Sequence, residues 1–356
     1  MSEVAGARPT AKGPIAFHPL RAVRIVRDRR CWDTLVAAHE HGGFLQSWTW
    51  GRFKQHFGWA PARLALPARV GAPAPVAQAL FRRLPYSPFT IGYVPRGPLL
   101  NYEDEDELAA MIRALDRVAG RYHAISITWE LPLPENLTLS ARLARHGLHP
   151  AKGVQTRATR LIDLSPSLEE IAAQQKPKWR SNTRLARKHG VTVRPAETVG
   201  DLAAWYAILE TTSERDGFTV RGMEYYQHFW ESTRESGDTV LLLAEHEGTL
   251  LAGLMLHRFA HEATYVYGAS SDASRNLMPA YLLQAEAMQW AKERGAVRYD
   301  LFGIADSDDP DHPLAGITRH KAGFGGQAVH YAGAFDRVYH PLLYAAIQRI
   351  RAGGLG

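Results

Sequence analysis

Arg221 and Tyr225 stand four residues apart at the start of a predicted helix over 222–233, a spacing that puts both on one face. A guanidinium can grip a diphosphate through two parallel hydrogen bonds, and a tyrosine hydroxyl adds a neutral donor. The plainer reading is an exposed arginine at a local turn. Lys54 lies in an aromatic neighbourhood of the sequence, with Trp50 and Trp59 near it. It can hold a phosphate as a point charge or lie along the rings as an ordinary surface lysine. Lys321 precedes Ala322–Gly323–Phe324–Gly325–Gly326, where glycines allow close backbone approach to a ligand. An ammonium there can stabilise the oxyanion formed when an ester is attacked, or simply complement the dipole at a helix C-terminus. From 176 to 188 the cations Lys176, Lys178, Arg180, Arg184, Arg187 and Lys188 occur with no acid among them. On a helix Arg180, Arg184, Arg187 and Lys188 share a face, which suits an RNA backbone or is merely a solvated surface.

Such groups need a scaffold to aim them, and 356 residues are about right for two domains. Apolar residues make up 46% and charged residues 22%, the balance of a globular chain. The net charge of +6 favours an anionic partner without choosing among nucleic acid, a phosphorylated substrate and a membrane surface. A single cysteine, Cys31, excludes an internal disulfide and a cysteine-ligated zinc cluster, and no metal or other cofactor is expected. Segment 1–12 lacks an apolar signal core and reads as a short flexible leader. No stretch approaches the roughly 20 apolar residues of a membrane-spanning helix. The expectation is a soluble, cytoplasmic protein.

The second half reads as helices over 201–211 and 222–233, strands over 240–245, 250–259 and 263–269, a helix from Pro279 to about Gly295, and a strand over 298–302. The first half repeats that order. Strands over 62–66, 75–84 and 89–94 precede a helix capped by Asn101 with its first turn acidic, and a strand follows over 123–129. An antiparallel meander, a helix and another strand, seen twice, is the layout of a GNAT-like acyltransferase domain in tandem. The fold class is therefore α/β (α+β), with two such domains, each a mixed, mostly antiparallel sheet flanked by helices. Residues 1–160 form the first, completed by 332–356, and 161–331 the second. In acetyl-CoA enzymes of this fold a glycine-rich loop before the central helix offers backbone N–H groups to the pyrophosphate. Here the stretch is Arg275–Asn276–Leu277–Met278–Pro279–Ala280, where Met278 replaces a glycine and Pro279 removes a donor. The acyl carrier should be something else.

Four stretches together resemble the Fem family of peptidoglycan bridge transferases. They are Phe44 to Trp50 (FLQSWTW) with Lys54 and Trp59; Tyr93–Val94–Pro95–Arg96–Gly97–Pro98; Arg215 to Arg221 (RDGFTVR) with Tyr225; and Tyr265–Val266–Tyr267–Gly268 through Tyr299–Asp300–Leu301–Phe302–Gly303 to Lys321–Ala322–Gly323–Phe324–Gly325. Their order covers nearly the whole chain. The resemblance implies an aminoacyltransferase that passes Gly, Ala or Ser from aminoacyl-tRNA to an amine on the stem peptide of a peptidoglycan precursor. That precursor is UDP-linked or lipid-linked, and a lipid-linked one would bring transient contact with the inner membrane face. It also implies that Lys54, Tyr93, Arg96, Thr219, Arg221, Tyr225 and Tyr267 hold the precursor, while Lys321 acts at the reaction centre or the tRNA end. The basic stretch and His320 would then meet the tRNA. His320 stands where the family usually has Phe, and Asn101 where it often has Asp, so Asn101 cannot be a base. Asp300, Asp306 and Glu130 are candidates without a distinguishing spacing, and the substrate's own carboxylate or phosphate is an alternative. Two further functions compete: a GNAT-like transferase of envelope amines or sugars using another carrier, and a non-catalytic protein that binds RNA or precursor.

Overall fold

The computed structural model describes residues 23–217, 219–272 and 275–352; the expected leader over 1–12 lies outside the described residues. In chain order the first part holds β1 (Arg24–Ile25), α1 (Arg29–Ala37), α2 (Trp48–His56), β2 (Trp59–Ala65), β3 (Val76–Arg83), β4 (Thr90–Val94), α3 (Glu105–Arg121), β5 (Ala124–Glu130), α4 (Leu137–Arg145) and β6 (Leu148–Ala151). Then come β7 (Ala158–Asp163), α5 (Leu168–Ala173), α6 (Pro177–Lys188), β8 (Thr192–Pro195), α7 (Val199–Asp216), α8 (Met223–Arg234), β9 (Thr239–His246), β10 (Thr249–Phe259), β11 (Glu262–Ser270), α9 (Pro279–Glu293), β12 (Arg298–Asp300), α10 (Ala315–Ala322) and β13 (Gln327–His330). The chain ends its described course with β14 (Ala334–Val338) and α11 (Pro341–Ala352).

These strands form two seven-stranded sheets, ordered β1-β2-β3-β4-β5-β14-β6 and β13-β7-β12-β11-β10-β9-β8. Each is mostly antiparallel with one parallel pair, β4–β5 in the first and β11–β12 in the second. The α/β class with two mixed sheets flanked by helices is thus as the sequence pattern predicts. Strand β7 pairs along its length with β12 and β13, so the strand that spans residue 160 lies wholly in the second sheet. After the second sheet is complete the chain returns, and β14 slots between β5 and β6.

Local chemistry sets the helix ends, and in two places it moves them from the predicted positions. The cap of α3 is Asp104, not Asn101: its carboxylate accepts from the N–H groups of Asp106 and Glu107, both at 3.1 Å. Asn101 instead closes a turn by accepting from Glu103 N–H at 3.0 Å. Helix α7 runs past Thr211 because Thr211, Thr212 and Ser213 turn their hydroxyls onto carbonyls of their own helix. It starts on a Thr198/Asp201 capping box and stops at Gly217, which has φ 70°.

Three packed regions matter for the site. One lies between the first sheet and α3, with Leu108, Met111, Leu115 and Trp129 buried in it. A second lies between the second sheet and helices α6 and α9. The third joins the two halves and is aromatic, with Phe44, Trp50, Phe53 and Tyr93 from the first against Trp205, Tyr226, Phe229 and Trp230 from the second. Full burial of such rings stabilises by about 1.5–3 kcal/mol each. Trp205 of α7 rests on Gly253 of β10, where an added Cβ would come 2.3 Å from its Cδ1. Gly253→Ala should therefore lower stability by about 1–3 kcal/mol in urea unfolding through overpacking. An unchanged midpoint would contradict this packing.

Candidate active site

The shared aromatic region seats Lys54 on α2 and Tyr225 on α8 against each other. The Lys54 ammonium lies 5.3 Å from the Trp50 ring centre, 5.7 Å from Trp59 and 5.6 Å from Tyr225. Arg82, at the end of β3, sits 5.9 Å over Trp59, its partner in the β2–β3 register. Burial first, and then the charges of Arg221 and Arg82, push the Lys54 ammonium down to about 8. The hydroxyls of Tyr225 and Tyr267 are hydrogen-bonded to each other. The sequence spacing predicts Arg221 on one helix face with Tyr225, but Arg221 precedes the helix: α8 begins at Met223 with Gly222 as its cap. Its backbone is gripped instead, its N–H donating to Tyr226 Oη at 3.3 Å and its carbonyl accepting from Tyr206 Oη at 3.0 Å. Its side chain is left exposed, and no carboxylate pairs with it among the described residues. Thr219 is exposed in the same lead-in to α8. Three cations thus converge beside aromatic walls and hydroxyls, with no carboxylate paired to them among the described residues. Such an arrangement is chemically complementary to an anion.

Lys321 lies elsewhere, on α10 beside the second sheet. Its ammonium is buried and donates to the carbonyls of Phe302 at 3.2 Å and Gly303 at 2.7 Å, with the Tyr265 ring 5.6 Å away. Burial pushes it down to about 8, and Asp300 opposes that. Phe302 holds a left-handed φ of 59°, fixed by Lys321 on one side and by its N–H donating to Asp300 at 2.7 Å on the other. Two of the three Lys321 donors therefore fix a loop. The glycines after it face protein: a Cβ at Gly323 would lie 2.0 Å from Trp179, and one at Gly326 would lie 2.2 Å from the Leu161 carbonyl. His320 packs edgewise on Tyr281 and Phe324, and burial pushes its imidazole down to about 4, so it is neutral near pH 7.

The remaining sequence candidates separate. Tyr93 is near the cation site through Trp59, their ring centres 6.4 Å apart, and donates its hydroxyl to Glu130 while accepting from Gln155 at 3.2 Å. Glu130 also accepts from the N–H groups of Val154 and Gln155, so it is fully engaged. Asp300 is buried and accepts from Thr159 and Phe302, and Asp306 is an exposed loop residue 3.5 Å from His312. Arg96 does not join Lys54. It stacks 3.6 Å over Tyr331, donates to the Thr156 carbonyl, and lines a separate cavity of about 240 Å³ between the sheets with Glu262, Arg298 and Asp300. There burial and Asp300 push the Glu262 carboxyl up to about 7, against the pull of Arg298 2.6 Å away.

The basic stretch forms α6, but its cations do not share one task. Arg180 turns back to the carbonyls of Ala173 and Gln175, and Arg187 pairs with Glu286 at 3.0 Å. Lys176 lies 5.7 Å from the Trp179 ring. That leaves Lys178, Arg184 and Lys188 exposed and without a carboxylate partner among the described residues. Sequence reasoning missed Arg82, whose signal was its register opposite Trp59, and the pair Tyr206 and Tyr226, which carried none.

Lys54 supplies a pH test of the anion site. Its charge is present below about pH 8 and lost above it, so affinity for a diphosphate diester should fall as pH rises through about 8. Lys54→Arg should flatten that fall in calorimetric titrations. A fall of equal size in the variant would remove Lys54 from the site.

The FemAB family model matches this chain over residues 29–142, 143–247 and 233–351. A lipid II:glycine glycyltransferase of Staphylococcus haemolyticus is 27% identical across 90% of this chain and 93% of its own length. One from Staphylococcus aureus is 25% identical with the same coverage. The solved structure of FemX superposes with a TM-score of 0.82 over 90% of this chain and 98% of its own, at 24% identity. A tandem GNAT protein from the clavulanic acid pathway superposes at 0.50 over 88% of this chain and 98% of its own, at 13% identity, a likeness of fold alone. The twin GNAT-like sheets and the family match agree: the chain belongs to the FemAB family and is an aminoacyltransferase.

Proposed function

We propose that the protein passes Gly, Ala or Ser from aminoacyl-tRNA to the stem-peptide amine of a peptidoglycan precursor, the step that builds an interpeptide bridge. The observation that carries this reading is the convergence of Lys54, Arg82 and Arg221 beside Trp59 and Tyr225. Their geometry suits a diphosphate, which lipid-linked and UDP-linked precursors share. The lipid II:glycine glycyltransferase activity of the staphylococcal relatives supports a precursor of this kind.

The donor side is read from the second sheet. Strands β11 and β12 pair only from Glu262 to Thr264; beyond them β11 stays paired with β10 but leaves its β12-side edge open, while Leu301 bonds to Arg160 of β7. The opening is bordered by Tyr265, Tyr267 and the loop that Lys321 fixes, and it is where we place the tRNA terminus, with His320 nearby. Lys178, Arg184 and Lys188 would follow the RNA backbone, a salt-sensitive contact. An acyl-CoA carrier fits poorly. Met278 caps α9 in the left-handed region with φ 57°, no side chain caps the helix, and Pro279 removes an N–H where a pyrophosphate would need one.

In the reaction the amine lone pair attacks the ester carbonyl, the carbon–oxygen bond to the ribose breaks, and the proton lost by nitrogen ends on the departing ribose oxygen. Lys321 places its positive charge by that carbonyl and positions the 301–304 loop. Asn101 is an amide, Glu130 and Asp300 are engaged by donors and Asp306 lies on an exposed loop, so the relay that carries this proton from nitrogen to the ribose oxygen is assigned to the substrate's own carboxylate or phosphate. Both substrates would be met in the cytoplasm, and no helix among the described residues is long and apolar enough to cross a membrane.

Purified protein with charged Gly-, Ala- or Ser-tRNA and either precursor should yield an extended stem peptide, and ribonuclease should abolish it. Transfer from acetyl-CoA without tRNA would overturn the reading. Arg221→Ala should raise the precursor KM about tenfold or more, the loss of a charge-assisted contact of roughly 1.5–3 kcal/mol. An unchanged KM would take the precursor away from this site.

A further inference from the structure

One edge of the first sheet, continuous with the cation site through Arg82, exposes apolar side chains among arginines. The turn at 84–89, the start of β5 and the run from β14 into α11 meet there, tied by Phe89 against His340 with ring centres 5.1 Å apart. Helix α11 turns Tyr344 and Ile347 toward the protein, the Tyr344 hydroxyl donating to Asp336 at 2.6 Å. Outward it presents Leu342, Ala345, Ala346, Arg349 and Ile350, at i, i+3, i+4, i+7 and i+8. The stripe facing solvent is thus the apolar one, the reverse of an ordinary surface helix. Leu342 is 89% exposed and Ile350 54%, and Tyr86 stands fully exposed at the tip of the neighbouring turn.

Charge completes the pattern. Arg82, Arg83, Arg121 and Arg349 are exposed along this edge, and segments 82–94, 117–129 and 337–352 contain no Asp or Glu. Arginines alone would suit RNA, but an RNA backbone has no use for Leu342, Ile350 and Tyr86 between them. Cations interleaved with apolar side chains match the headgroup region of a bilayer, where phosphates and acyl boundary lie within a few ångströms of each other.

We propose that this edge docks on an anionic phospholipid surface, with Leu342, Ile350 and Tyr86 entering the headgroup layer and the arginines on lipid phosphates. The Arg82 end would then face the cation site toward the membrane, which gives a lipid-linked diphosphate direct access. That last consequence rests on the proposed function; the docking itself does not.

The test is co-sedimentation of the full chain with vesicles of phosphatidylcholine alone and of phosphatidylcholine mixed with phosphatidylglycerol. Binding should appear with the mixed vesicles, weaken with salt, and fall roughly tenfold or more in Leu342→Glu/Ile350→Glu. Val70→Glu, at an exposed site in the β2–β3 turn at the far end of the sheet, should bind as the native chain does. Tyr86→Ser provides a second variant that leaves α11 untouched, and it too should weaken binding. Equal binding to both vesicle types, undiminished binding by both edge variants, or loss of binding only to RNA would overturn the proposal. So would a concentration-dependent dimer that the double variant abolishes, since a second copy would then cover the stripe. If the double variant loses vesicles yet keeps its transfer rate on a UDP-linked precursor, docking and chemistry separate. If no precursor is ever extended while vesicle binding follows the pattern, the functional reading fails alone.

Discussion

The aromatic packing between α2 and α8 is the constraint on which the site depends. Phe53 meets Tyr225 at 4.7 Å and Phe229 at 5.1 Å between ring centres, and Trp50 meets Phe229 at 6.4 Å. Lys54 follows Phe53 on the same short helix, so the ring that buries α2 also carries the ammonium to Tyr225. Neither half holds the anion site alone: Lys54, Trp59 and Arg82 come from the first, and Arg221, Tyr225 and Tyr267 from the second. Rigid rings locate charges better than flexible side chains would, because little rotamer freedom remains to be lost when a ligand binds.

Bringing Lys54, Arg82 and Arg221 together is unfavourable without a counter-charge, and no carboxylate among the described residues pairs with them. Burial and the two cationic neighbours accordingly hold the Lys54 ammonium down to about 8. Three ring faces partly compensate, each worth on the order of 0.5–1 kcal/mol or more where water is excluded. A bound diphosphate would remove the repulsion altogether. A cluster of this kind favours an anionic partner over a neutral one by the same electrostatics that raise its cost alone.

Much of the scaffold was legible because it depends on local rules. Alternation and turns gave the meanders, and Pro279 opened α9 as expected. The boundaries that slipped did so where side chains bond to backbone: Asp104 outcompetes Asn101 as a cap, and the hydroxyls at 211–213 continue a helix that their residue types would ordinarily end. Of the candidate site, the stretches named the residues but not how the fold would group them. Arg96 lies in the neighbouring cavity rather than with Lys54 because its left-handed φ of 45° and its stacking on Tyr331 aim it there, which no spacing encodes. Arg180 and Arg187 left the basic face for partners distant in sequence or on other elements. Periodicity shows which residues share a helix face, not which of them already have partners.

The two sheets share a plan but differ at the parallel pair, and that difference assigns them different work. In the first, β4 stays paired with β5 up to Val94 and Trp129, and Gly97 N–H then bonds to the Glu130 carbonyl at 2.8 Å, so the pair is closed to its end. In the second the corresponding pair parts after Thr264 and Asp300. A register shift between Met255 and Leu256 follows on β11 and breaks the strict alternation there, so that Tyr265 packs on the α9 side while Tyr267 reaches Tyr226 of α8. One strand therefore addresses both the loop fixed by Lys321 and the cation site. A sheet closed like the first has no such opening between its strands, and its contribution is the wall that carries Lys54 and Arg82. Opening the parallel pair in only one of two like sheets is enough to give the two halves of one fold different surfaces.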